Sequence, residues 1–142
     1  MAVSFHSENV DFPPIKKRAT ANWIKTVAEN HGRRVGEISY LFCDDAKILE
    51  INRQYLQHDF YTDIITFDYS ENNVISGDIS ISLDTVRSNS QKYQTEFTDE
   101  LNRVIIHGIL HLCGLDDHSN SEQEAMRIAE NTALLILRNT FQ

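Results

Sequence analysis

Residues 107–118 read HGILHLCGLDDH and carry the side chains best suited to chemistry. His107 and His111 are four apart on a predicted helix, which puts both imidazoles on one face, one turn apart. Two such nitrogens can ligate one metal ion. Gly114 then allows a sharp turn, which can bring a third ligand back toward the pair. This is the arrangement of HxxxHxxGxxH zinc sites, with three protein ligands and one position for water. A zinc ion so held lowers the pKa of its water toward ~7 and yields a nucleophile at neutral pH. A lone histidine on a helix is usually a satisfied polar group, and even two at this spacing often coincide by accident. The LCG and DDH that follow make accident a poor account.

The third ligand of such a site lies six residues after the second histidine, which here is Asp117. An aspartate is a competent zinc ligand through oxygen. His118 is the softer donor but stands one residue late, and it remains the alternative. With Asp117 on the metal, His118 or Asp116 would orient a ligand or a water from behind. Asp116, His118 and hydroxide on the metal are all open as general base, so the catalytic residues stay unassigned. Peptidases of the HExxH type carry a glutamate after the first histidine. Here that residue is Gly108, and the plainest mark of a peptidase is absent. A small residue there predicts that another helix packs closely.

The elements that must position these groups follow from the periodicity. Residues 3–7 alternate weakly as a short strand. Ile15, Ala19, Trp23 and Val27 recur every four residues after Pro13 and Pro14, which predicts a helix with the prolines in its first turn and Gly32 at its C-terminal cap. Residues 37–43 read as a strand, with Asp44 or Asp45 capping a helix that carries Ile48, Leu49, Asn52, Tyr55 and Leu56. Residues 64–69 are a predicted strand and Ser70 to Gly77 a polar turn. Residues 78–83 are a strand with one polar face. Asp84 caps a further helix. Thr98 with Asp99 and Glu100 starts the helix of the two histidines. Ser121 with Glu124 fits a capping box for a last helix ending near Arg138. The mixed order predicts an α+β fold.

The chain has 142 residues, the size of one domain. Folding at this length hides roughly 68–70% of the unfolded surface, enough for one core without disulfides. No apolar run approaches the ~20 residues of a membrane span. The first ten residues lack the basic-then-apolar pattern of a secretory signal. Cys43 and Cys113 form no CxxC pair, which excludes a zinc ribbon, and a cytoplasmic chain keeps them reduced. The net charge is −8. That argues against coating nucleic acid by bulk electrostatics, but leaves room for a local basic groove or a bound cation.

The motif HGILHLCGLDD resembles the HGxLHLxGxxH signature of the YbeY family of metal-dependent endoribonucleases. LFCDDAKILEINRQYL resembles that family's strand and helix ending in LNxxY. YTDIITFDY resembles its PTDVLSFP-like strand, and SGDISISLDTV its LGDIxIS strand and helix start. The four segments stand in the family's order from about residue 38 to 118. The resemblance implies a single α+β domain over residues 1–142, a small, mostly parallel mixed sheet among helices, and one zinc ion per chain held by His107, His111 and Asp117. It implies hydrolysis of single-stranded RNA in the cytoplasm, in maturation of the 3′ end of small-subunit ribosomal RNA and in ribosome quality control. It implies no membrane partner.

The chain departs from the family twice. Asp117 stands where a histidine is usual, which bears on the metal's affinity and identity. Leu56 stands where many members have an arginine after the tyrosine. Arg53, one turn earlier, is the candidate RNA contact, against the plainer view of it as a solvated side chain. Lys16, Lys17, Arg18, Arg33 and Arg34 form two basic clusters, with Arg87, Lys92 and Arg103 scattered. Each is usually a solvated helix face. Phe60 and Tyr61 could stack bases, although core packing is the simpler role. An acidic chain acting on RNA is expected to meet it through a partner, such as a small-subunit protein or an assembly GTPase. Two other readings stand: a zinc peptidase-like hydrolase, and a ribosome-assembly factor whose metal is structural.

Overall fold

The computed structural model describes residues 2–57 and 62–142. Four strands form one mixed sheet in the order β1-β2-β4-β3. These are β1 (Ala2–Ser7), β2 (Arg34–Cys43), β3 (Ile64–Asp68) and β4 (Val74–Ser82). β1 with β2 and β2 with β4 are parallel, joined through helices, while β3 closes the edge antiparallel to β4. Phe60 and Tyr61, the candidate base-stacking residues, lie outside the described residues.

Strand periodicity sorts the side chains into two layers. Ile38, Tyr40 and Phe42 of β2 and Ile75, Ile79 and Ile81 of β4 enter the main core. Helices α1 (Lys17–Asn30), α3 (Leu83–Lys92), α4 (Phe97–Leu112) and α5 (Asn120–Ile136) supply the rest of it. Trp23 is fully buried and its indole N–H donates to the Ala133 carbonyl at 2.8 Å. The buried Tyr40 hydroxyl donates to the Ile105 carbonyl at 2.8 Å, and burial pushes its pKa well above the ordinary phenol value. On the opposite face, α2 (Asp45–Leu56) covers a small cluster of Cys43, Ile48, Ile51 and Ile65.

Several boundaries differ from expectation, each for a local reason. The α1 helix starts at Lys17, so Pro13 and Pro14 precede it instead of occupying its first turn. Gly32 follows its end at φ 74°, and the Arg33 amide reaches back to the Ala28 carbonyl at 2.9 Å. The turn before β4 is shorter than its polar composition suggests: β4 begins at Val74, because Asn72 at φ 55° already reverses the chain. The polar face of β4 is partly buried. Ser82 caps α3 and also donates to the Asp45 carboxylate at 2.6 Å, so Asp84 sits inside the first turn instead of at the cap. Asp44 caps α2 through the Lys47 amide. Glu96 occupies the N-cap of α4 without a side-chain bond, so that helix starts one residue before Thr98. The capping box of α5 is Ser119 with Glu122, two residues earlier than the Ser121–Glu124 pair that also satisfies the pattern. A π-helical turn, Leu137–Phe141, continues α5. Among the described residues, no helix is long and apolar enough to cross a membrane.

Candidate metal centre

The α4 helix buries Leu101, Val104, Ile105, Ile109 and Leu112 along one stripe. His107 and His111 ride at the margin of that stripe, half-buried, where one side of each ring meets protein and the other meets a cavity. Gly108 between them lies flat on the sheet. A Cβ there would stand 3.0 Å from Ile79 Cδ1 and 3.2 Å from Ile64 Cδ1. The close neighbour that the small residue admits is thus the sheet, through β4 and β3, and not another helix.

The helix ends at Cys113, and Gly114 at φ 106° turns the chain back. Few side chains tolerate that backbone conformation. The turn carries the Leu115 carbonyl to 3.1 Å from His111 Nδ1 and Asp117 to the mouth of the cavity, with its Oδ2 at 3.4 Å from His107 Nε2. Asp116 and His118 are exposed and are not among the residues lining the cavity. His118 stands instead just before Ser119, the N-cap of α5.

The cavity has a volume of about 450 Å³. Its walls include Asp63, Ile64 and Thr66 from the β3 side, Glu100 and Arg103 from α4, and Arg127 and Glu130 from α5. Glu130 is buried, with its Oε2 at 2.7 Å from His107 Nδ1 and its Oε1 accepting from Arg103 at 2.8 Å. Burial works to raise the Glu130 carboxyl, but these two partners outweigh it and hold it below the usual range. Desolvation works to lower the His107 imidazole. The bond to Glu130 and the charges of Glu130, Asp117 and Asp63 outweigh it, so the ring prefers to carry positive charge more than a free histidine does. Asp63 is raised, chiefly by desolvation, with His107 opposing the shift. Glu100 is raised for the same first reason.

This donor set suits a divalent cation. With Nδ1–H of His107 given to Glu130, its Nε2 lone pair would face an Asp117 oxygen at 3.4 Å. Two acceptors so placed repel unless a proton or a cation stands between them. Two ligand atoms about 2.0–2.1 Å from a tetrahedral zinc ion are themselves about 3.3–3.4 Å apart. His111, whose Nδ1 faces a carbonyl, likewise keeps Nε2 for a ligand role. Among the described residues, no three His, Cys, Asp or Glu side chains close around one point as the chain stands.

The other sequence candidates lie elsewhere. Arg53 is exposed on α2 and lines no part of this cavity. Lys16, Lys17 and Arg18 border a surface hollow beside Phe141 and Gln142. Arg33 donates to the Asn72 carbonyl, Arg87 lies over the Phe97 ring and Lys92 over Tyr93. Of those cations, Arg103 lines the histidines' cavity and bonds Glu130. Three wall residues escaped the sequence reading. Asp63 lies in the YTDIITFDY segment, just ahead of β3, and a carboxylate ahead of an apolar strand is the available signal. Glu130 and Arg127 come from α5, where nothing in one sequence links them to His107.

A family model described as Endoribonuclease YbeY matches residues 3–138. The chain is 59% identical over 137 residues to Endoribonuclease YbeY of Parabacteroides distasonis, covering 96% of each. It is 60% identical over 134 residues to Endoribonuclease YbeY of Bacteroides thetaiotaomicron, covering 94% of this chain and 98% of that one. The solution structure of TM1509 from Thermotoga maritima superposes with a TM-score of 0.67 at 23% identity, covering 97% of this chain and 93% of that one, and so shares the fold.

Proposed function

The chain belongs to the YbeY family of endoribonucleases, and from that premise we propose that it hydrolyses single-stranded RNA with one zinc ion held by His107, His111 and Asp117. RNA is the substrate, and ribosomal RNA processing the setting; the 3′ end of the small-subunit RNA is the proposed target. The observation that carries this reading is the pairing of His107 Nε2 with Asp117 Oδ2 at 3.4 Å, in a cavity that His111 also lines.

When bound, zinc would supply Lewis acidity toward a phosphoryl oxygen and a water that ionises near neutral pH. The chain's own groups do the rest. The Nδ1 atoms of the two rings are engaged by Glu130 and by the Leu115 carbonyl, which fixes the ring planes. Asp63 is the wall carboxyl we assign to proton transfer, in place of the exposed Asp116 and His118, because it lines the cavity with the two histidines and they do not. Arg127, largely exposed on the rim, is the cation positioned to meet an RNA phosphate. The remaining wall is acidic, which favours a cation in the site before a polyanion. Small-subunit proteins or an assembly GTPase are proposed to bring an acidic enzyme to its RNA.

The test compares wild type with His111→Ala, purified side by side, on an unstructured RNA. Metal content is read by elemental mass spectrometry and folding by circular dichroism. Zinc and cleavage both present in wild type and both lost from a folded variant would support the reading. Equal cleavage by the two proteins would assign the activity to a contaminant and remove the site.

A further inference from the structure

The two histidines are held by different means. His111 presents Nδ1 to a main-chain carbonyl at 3.1 Å, a partner that no substitution removes. His107 presents Nδ1 to the side chain of Glu130 at 2.7 Å, from an element 23 residues downstream. That carboxylate is in turn fixed. Its second oxygen accepts from Arg103 Nη1 at 2.8 Å, and Arg103 Nη2 donates to the Asn131 side chain at 2.8 Å. Glu130 is only 7% exposed and Arg103 20% exposed, so the bond between them is sheltered from water, while the bond onward to Asn131 lies at the surface.

We infer that Glu130, locked by Arg103, is a positioning residue that fixes the tautomer and plane of His107 so that Nε2 faces Asp117 across the cavity. The claim rests on the zinc reading for its consequence, but not for its geometry. A carboxylate on Nδ1 places the ring proton there, leaves Nε2 as a lone pair and raises the ring's strength as a ligand. Arg103 neutralises the carboxylate's charge, which keeps it from drawing the Nδ1 proton off the ring. It also holds Glu130 in place from the same helix that carries His107, one turn earlier, so ring and orienting group move together. The asymmetry has a chemical use. An aspartate in the third position is a harder donor than a histidine, and a strengthened His107 compensates for it on the same side of the site.

Two readouts test the inference, and neither is activity. Long-range proton–nitrogen NMR of the metal-free protein at alkaline pH reports each ring's tautomer. Wild type should show His107 protonated on Nδ1. Glu130→Ala should move His107 to a mixture or to the Nε2-protonated form, with His111 unchanged as the internal control. Zinc affinity, measured by competition with a chromophoric chelator, should fall about 10–100-fold in Glu130→Ala. Glu130→Gln keeps an acceptor for Nδ1–H without the charge and should recover part of that loss. Arg103→Met should fall between wild type and Glu130→Ala. Should Glu130→Ala not fold, Glu130→Gln and Arg103→Met carry the test. Affinities within twofold of wild type in the folded variants would overturn the inference. If wild type itself takes up no zinc, the zinc reading fails, and the tautomer of His107 alone decides whether Glu130 positions it.

Discussion

On one face of the sheet, Ile38, Tyr40, Phe42, Ile75, Ile79 and Ile81 disappear beneath four helices. On the other, α2 shields only Cys43, Ile65 and parts of Leu41 and Phe67. The rest of that second face stays open as a groove of about 540 Å³, floored by Ser39, Asp78 and Ser80 and rimmed by the exposed Tyr55 and Tyr69. The histidines belong to the closed face. They sit on α4, whose Gly108 lies against Ile79 and Ile64, so their positions are set by the best-packed part of the molecule. Ligands that must meet within a few tenths of an ångström need such support. The open face, with few buried apolar side chains, has the composition of a region that opens locally at lower cost.

The comparison can be broken by substitution. Trp23→Ala on the closed face should destabilise most, by about 3–5 kcal/mol, since it removes a wholly buried ring and its hydrogen bond to the Ala133 carbonyl. Ile51→Ala beneath α2 should cost about 2 kcal/mol, because that smaller cluster can collapse around the gap. Denaturant melts of the two variants measure both, and equal losses would show that the faces are equally tight. Gly108→Ala sharpens the link between packing and ligands. Its Cβ meets three methyl groups of two isoleucines, so overpacking of about 1–3 kcal/mol is expected, along with weaker zinc uptake as α4 lifts from the sheet. A variant of wild-type stability and affinity would show that the sheet gives way instead. Ser119→Ala, at the exposed cap of α5, should cost about 1 kcal/mol and leave zinc affinity unchanged. The bonds from Ser119 hold the Glu122 carboxyl below its ordinary pKa. Its contribution is therefore complete above the unfolded carboxyl value and is lost as pH falls through the lower folded one, with the opposite sign expected of a histidine. Titration of Glu122 by NMR in wild type and Ser119→Ala reads this smallest effect.

What the sequence made legible follows from range. The strands of the closed face show clean alternation at Ile79 and Ile81, and His107 with His111 announces itself because four residues is one helical turn. The count of six to Asp117 is likewise a matter of one turn and one glycine. Glu130 was invisible for the opposite reason: its relation to His107 exists only after α4 and α5 pack, and no spacing rule spans that distance. Cap positions were misread where two hydroxyls competed. Ser119 and Ser121 each precede a glutamate by three residues, and only the path of the loop after Gly114 selects the first. The candidate contact at Arg53 comes from the family's arginine after the tyrosine, moved one helical turn, and neither the resemblance nor the spacing says on which face of the sheet α2 lands.

The hydrogen bond between Trp23 and the Ala133 carbonyl joins positions 110 residues apart. During synthesis, α1 therefore waits for the chain's last helix before its largest side chain is covered. β1 emerges first, yet its neighbour in the sheet, β2, begins at Arg34, and the inner strand β4 is not complete until Ser82. The antiparallel β3–β4 pair, closed by a short turn, is the one sheet contact that a nascent chain can make locally. His107 is made before Glu130, so a partly synthesised chain holds the ring without the group that orients it. Under this order the enzyme acquires a shaped site only when nearly all of it exists, and fragments released early would be poor nucleases.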